Sequence, residues 1–189
     1  MKSIFEKSIE LEIDLTFSSP TRFDCVSSQQ KFQISLLGDY EFWANQLKSW
    51  IEYIRSDPIL ICPEELRRIN SIGIGLEFTD DNSIAELNQK WRKKSDVTDV
   101  LSFPVFDPTL IAPEETYAEL GDIVVSVPMA QRQAIEQNHP LNIELAWLVS
   151  HGLLHLLGWD HPDAKTLENM LRFQEQLLKI SGNLSNTGT

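Results

Sequence analysis

The segment HGLLHLLGWDH, His151 to His161, gathers three of the chain's four histidines. His151 and His155 lie four apart in a stretch that reads as helix. At about 3.6 residues per turn, four steps bring a side chain back to within about 40° of where it began, so both imidazoles leave one face and can grip one ion. Gly158 ends the helix and lets the chain reverse through Trp159 and Asp160, which brings His161 back toward the pair. Three neutral imidazoles leave the fourth position of a tetrahedral Zn²⁺ open for water, as in a catalytic site and unlike the closed shell of a structural one. Water held there would ionise near neutral pH. Ni²⁺, Co²⁺ and Mn²⁺ also accept imidazoles, so the expectation is one divalent ion per chain, zinc first. An isolated HxxxH pair is more often ordinary surface or core histidine; the third histidine and the helix-ending glycine between them favour metal binding. His139, just before Pro140, reads as a helix cap or surface residue and is left out of the site.

The spacing H-x-x-x-H-x-x-G-x-x-H is also that of the metzincin metalloproteases, with one departure. Gly152 stands where those enzymes carry a glutamate that accepts a proton from the metal-bound water. Glycine has no side chain to do so, and peptide hydrolysis by that route is disfavoured.

These histidines need a scaffold, and the hydrophobic pattern supplies one. Ile9, Leu11, Ile13, Leu15 and Phe17 alternate with polar residues as in a half-buried strand. Residues 18–39, rich in Ser and Gln, read as a loop or insertion in which Phe32, Ile34 and Leu36 could form a short extra strand. Phe42, Trp43, Leu47, Trp50, Ile51 and Ile54 recur at helical spacing, and Pro63 opens a short helical piece. A second strand carries Ile72, Ile74, Leu76 and Phe78. The TDDN cluster then caps a helix with Ile84, Leu87 and Trp91 on one side and Arg92 near its end. Thr98–Pro104 and Gly121–Val127 read as two further strands. Helices follow from Pro128 to near Pro140, from about Leu141 to Gly158, and from Asp163 to Ile180, the last burying Leu167, Met170, Leu171, Leu177 and Leu178. The expected architecture is α+β: a single domain, residues 1–180, with one mixed sheet of about four strands packed by helices, and a disordered tail at 181–189.

Cys25 and Cys62 form neither a CxxC motif nor a disulfide framework, and the N-terminus lacks the apolar core of a signal peptide, which points to the cytoplasm. No apolar run approaches the roughly 20 residues of a membrane helix. Sixteen Lys and Arg against 28 Asp and Glu give a formal charge of −12, which opposes nonspecific attraction to nucleic acid. A nucleic-acid role would need a local basic patch or a metal ion. The candidate patch is Trp91-Arg92-Lys93-Lys94, which taken alone reads more readily as a solvated helix end complementing the helix dipole.

HGLLHLLGWDH, preceded by TDVLSFP and GDIVVSVPMAQRQA, resembles the YbeY family of bacterial metal-dependent endoribonucleases, in order from the first strand to the last helix. The resemblance implies single-strand-specific RNA cleavage in the 3′-end maturation of small-subunit ribosomal RNA and in ribosome quality control. The implied partners are single-stranded RNA, ribosomal RNA and the small ribosomal subunit, with no membrane and no DNA expected. It implies zinc on His151, His155 and His161, and matches the family's functional arginine, in the context N-x-x-[YW]-R, to Arg92 of NQKWR. A guanidinium there can hold a phosphate bidentately, which raises this role above helix capping. The chain departs from the family at Trp159, where Tyr is common, and at Lys93 and Val97, where Gly and Pro are common. The implied chemistry is attack on phosphorus by water or the ribose 2′-hydroxyl, with Arg92 stabilising charge on the phosphoryl oxygens. Ser102 and Asp122 could line the site or serve as strand-end hydrogen-bond groups, and Asp160 could orient a ligand imidazole or cap the turn. Two alternatives stay open: a metalloprotease-like hydrolase with a base from elsewhere in the fold, and a noncatalytic metal-dependent ribosome-binding protein.

Overall fold

A computed structural model describes residues 10–19, 36–180 and 182 of the chain. Alternation of Leu11, Ile13, Leu15 and Phe17 with polar residues produces strand β1 (Glu12–Ser18). Ile9, most of the expected 18–39 insertion with its possible extra strand, and all but one residue of the 181–189 tail lie outside the described residues. Asp39 caps helix α1 (Tyr40–Ser56) by accepting the Phe42 N–H at 3.0 Å. Helix α2 (Glu64–Arg68) starts behind Pro63 and leads into strand β2 (Ser71–Thr79). Asp80 caps helix α3 (Asp81–Arg92) through the Ser83 N–H, and strand β3 (Val100–Pro104) follows. Strand β4 (Tyr117–Ser126) runs straight into helix α4 (Val127–Glu136), capped by the Ser126 hydroxyl. Helices α5 (Leu141–Leu156) and α6 (Ala164–Ile180) complete the described chain.

The four strands form one mixed sheet in the order β1-β2-β4-β3. Strands β1, β2 and β4 are parallel and β3 is an antiparallel edge strand, so the fold class is α+β as expected. Strand β4 begins four residues earlier than its hydrophobic pattern suggests. Gly73 pairs with Glu119 but Ile74 with Gly121, so Leu120 is an extra residue in the ladder. A bulge of this kind shifts the alternation by one, which hides the strand's first half from a period-two reading. After the bulge Ile123 and Val125 turn toward the main core while Asp122 and Val124 face the other way.

The main core lies between that sheet face and α1, α5 and α6, with Trp43, Trp50, Ile74, Phe78, Leu145, Leu153, Met170 and Leu177 all 1% exposed or less. Helix α5 is apolar around almost its whole circumference because it is the central helix of this layer. On the opposite face α3 seats Ile84 on Leu101 and Val124, a small second core. Trp91, expected on the buried side of α3 with Ile84, is 60% exposed. Helix α6 buries Met170, Phe173, Gln174, Leu177 and Leu178, whereas Leu167 and Leu171 are only half-buried at the edge of that stripe.

Candidate metal centre and groove

Helix α5 presents His151 and His155 side by side, with ring centroids 4.7 Å apart, and the turn after Gly158 returns His161 to 5.4 and 5.1 Å from them. Gly158 takes φ 89°, a left-handed conformation that costs glycine little. One ligand nitrogen from each of the three rings lies within 4.8 Å of the others, and all three residues are half-buried.

The hydrogen bonds around the rings fix which nitrogen faces the shared point. Gln174 is fully buried, and its Nε2 donates to the Trp147 carbonyl (3.0 Å) and the Ser150 hydroxyl (3.3 Å). Its Oε1 must therefore be the atom facing His151 Nδ1 at 3.0 Å, and a carbonyl oxygen can only accept, so His151 carries its proton on Nδ1. His155 Nδ1 likewise donates to the Trp159 carbonyl at 3.0 Å. With both Nδ1 atoms protonated, the two neutral rings aim lone pairs at each other from Nε2 atoms only 3.1 Å apart. Such a pair repels unless a cation stands between the nitrogens. Zinc–nitrogen bonds of 2.0–2.1 Å at tetrahedral angles place two nitrogens about 3.3–3.4 Å apart, so the donor set fits such an ion with little movement. Burial, the largest influence, pushes the pKa of both His151 and His155 below the usual 6.5, which keeps them neutral for a ligand role.

The turn carrying His161 is braced from outside. Trp159 stacks on Phe173 at 4.9 Å with its plane 4° away, and its indole N–H donates to the Ile61 carbonyl at 2.9 Å. Asp160 lines the groove beside the trio, and its carboxylate accepts the backbone N–H of His161 at 2.8 Å. His139 stays apart from the trio and pairs its Nε2 with the largely buried Glu144 at 2.9 Å. Gly152 faces the sheet: a Cβ there would lie 2.6 Å from Ile123 Cγ2 and 3.3 Å from Ser102 Oγ. The close approach of α5 to β3 and β4 excludes a glutamate at this position, and with it the metalloprotease base.

The three histidines line a groove that continues over Ser102, Phe103 and Asp122 to Trp91 and Arg92. Ser102 Oγ donates to the Gly152 carbonyl at 3.3 Å, and Asp122 projects from the open sheet face. Arg92 is exposed at the end of α3, and its guanidinium has no ion pair or hydrogen bond with a described residue. Lys93 ends that helix in the left-handed region at φ 59°, a conformation that glycine adopts at least cost. The loop is held by Asn88, the asparagine of NQKWR, which is buried and donates from Nδ2 to the Asp96 carbonyl at 2.8 Å. Sequence reasoning missed Asn88 and Gln174. The available signal was a polar residue on the inner side of an amphipathic helix: Gln174 interrupts the stripe Met170, Phe173, Leu177, Leu178.

Residues 40–182 match the family model described as Endoribonuclease YbeY. The chain is similar to a protein named Endoribonuclease YbeY from Prochlorococcus marinus strain MIT 9313, 49% identical over 183 residues, covering 96% of this chain and 97% of that protein. It is similar to another of that name from Synechococcus strain CC9902, 54% identical over 145 residues, covering 77% of this chain and 81% of the relative. Among solved structures, the solution structure of TM1509 from Thermotoga maritima matches with a TM-score of 0.45 at 22% identity, covering 93% of this chain and 99% of that one.

Proposed function

The chain belongs to the YbeY family, and we propose that it is a zinc-dependent endoribonuclease that cuts single-stranded RNA, acting in the cytoplasm on the 3′ end of small-subunit ribosomal RNA and in ribosome quality control. The observation that carries this reading is the pair of Nε2 lone pairs converging 3.1 Å apart beside His161, at one end of a groove that Arg92 also lines. His151 and His155 would hold the ion through Nε2, with His161 as third ligand. When bound, zinc supplies Lewis acidity toward a phosphoryl oxygen and lowers the pKa of water toward neutrality.

The remaining work falls to the chain. Arg92, unengaged by other side chains among the described residues, holds the phosphate through two N–H donors and offsets the negative charge that grows on its oxygens. Asn88 fixes the loop behind it. Gln174 and the Trp159 carbonyl keep the two Nδ1 protons in place and so keep both Nε2 atoms unprotonated. An acidic chain handles a polyanion here through the local positive charge of Lys90, Arg92, Lys93 and Lys94.

The test offers zinc-loaded protein a single-stranded RNA, the same RNA as a duplex, and casein. Cleavage of the single strand alone, lost in His155→Ala together with bound zinc, is the expected result. Cleavage of casein would restore the protease reading, and no cleavage of any substrate would favour a binding protein.

A further inference from the structure

Trp43 and Trp50 are 1% exposed or less, and Trp147 and Trp159 pack partly buried against the main core. Trp91 alone among the five tryptophans stands 60% in solvent, and it does so on the wall of the groove, next to Arg92. An exposed indole is a large apolar surface kept from burial. Its position is set: the ring meets Phe103, also on the groove wall, edge to face at 6.0 Å, and Lys90 Nζ lies 5.2 Å from its centroid. Lys90, Arg92, Lys93 and Lys94 flank it in the chain, on a protein whose net charge is −12. A braced aromatic face among cations, in line with a phosphate-directed metal site, is how proteins hold a base and its backbone together.

We propose that Trp91 is a nucleobase platform: a base of the single-stranded substrate stacks on its indole while Arg92, one residue on, holds the adjoining phosphate. This rests on the endoribonuclease reading above and adds a physical source for the preference for single strands. A duplex keeps its bases stacked on each other, whereas a single strand can splay one onto the indole. Because every base has a π-face, the platform selects unpaired RNA without selecting a sequence.

The test uses zinc-loaded full-length protein and a short 2′-O-methyl oligoribonucleotide, which removes the 2′-hydroxyl nucleophile and whose integrity is checked on a gel after each titration, in a normal form and in a series with one abasic position. Binding is read by tryptophan fluorescence and by direct titration. The normal oligonucleotide should quench wild-type emission, and Trp91→Leu should remove most of that quenching and raise Kd about 5- to 150-fold, the range expected for one stacked base. Trp91→Phe, which retains a ring, should keep most of the affinity. At the abasic position that faces Trp91, wild type and Trp91→Leu should bind almost equally, a coupling that a merely structural tryptophan would not show. Equal Kd for wild type and Trp91→Leu on the normal oligonucleotide, or the same Trp91→Leu loss at every abasic position, would overturn the platform. If Trp91→Leu fails to fold, the abasic series on wild type decides: affinity unchanged at every position refutes stacking. Wild-type protein that cuts RNA but fails this test loses the platform only; wild-type protein that neither binds nor cuts RNA loses the endoribonuclease reading as well.

Discussion

Gln174→Leu removes an acceptor that no simple ligand count would include. Leucine has nearly the same volume, so no sizeable cavity opens, and the Ser150 hydroxyl still donates to the Trp147 carbonyl at 2.8 Å. What is lost is the partner of His151 Nδ1–H inside a region shielded from water. A buried donor left unsatisfied costs about 1–3 kcal/mol, and the ring can avoid that cost by turning or by moving its proton to Nε2. Either escape takes the lone pair away from the ion. The same 1–3 kcal/mol, at about 1.4 kcal/mol per tenfold, predicts a loss in zinc affinity of about 5- to 150-fold, in line with the 10–100-fold typical of such supporting groups. Competition against a chromophoric chelator at pH 7.5 measures it directly, and a thermal melt of the metal-free variant separates affinity from folding. Gln174→Glu keeps an acceptor at the same reach and should stay within about tenfold of wild type. Wild-type zinc affinity in a well-folded Gln174→Leu protein would show that the ring is oriented by something else, and the tautomer assignment would fall.

Arg92→Ala should lower cleavage of subsaturating single-stranded RNA by at least about tenfold, some 1.4 kcal/mol of transition-state stabilisation, with zinc content by elemental analysis unchanged. Arg92→Lys should recover only part of it, because an ammonium lacks the two-pronged geometry; wild-type rates in Arg92→Ala would leave the arginine as a helix cap. Lys93→Gly relieves the left-handed φ of 59° and should stabilise the fold by up to about 1 kcal/mol, seen as a Tm rise of about 2–4 °C. For pH, the folded pKa values of His151 and His155 lie below 6.5, so between those values and 6.5 the unfolded chain binds more protons. The stability of the metal-free protein should therefore be fully present above pH 6.5 and fall as pH drops through the folded values, as urea titrations at pH 7.5, 6 and 5 would show. Metal affinity should fall over the same range.

The trio of histidines was legible because its geometry is local: an i, i+4 pair and a glycine turn are set by neighbours in the chain. The strands of the sheet were legible wherever alternation persisted, and β4 was misjudged where the bulge at Leu120 breaks it. Gln174 was not legible, because its partners Trp147, Ser150 and His151 lie on another helix more than twenty residues away. Trp91 was misplaced because helical periodicity describes a full turn of neighbours, while the second core against α3 is buried only at Ile84, Leu101 and Val124 and meets Trp91 no further in than Phe103 at its rim.

The indole bond from Trp159 to Ile61 joins residues 98 positions apart, and it bears on the order in which the chain acquires its ligands. A nascent α5 can offer His151 and His155 as soon as its own turns form, since their spacing needs nothing distant. His161 follows a turn whose Trp159 is braced by Ile61, between α1 and α2, and by Phe173 of α6. Contacts of such long sequence separation close late, after their loop entropy has been overcome. On the proposed metal reading, a half-folded chain would offer an ion two nitrogens and a finished one three, so the tightness of the grip would register whether the distant parts of the fold have arrived.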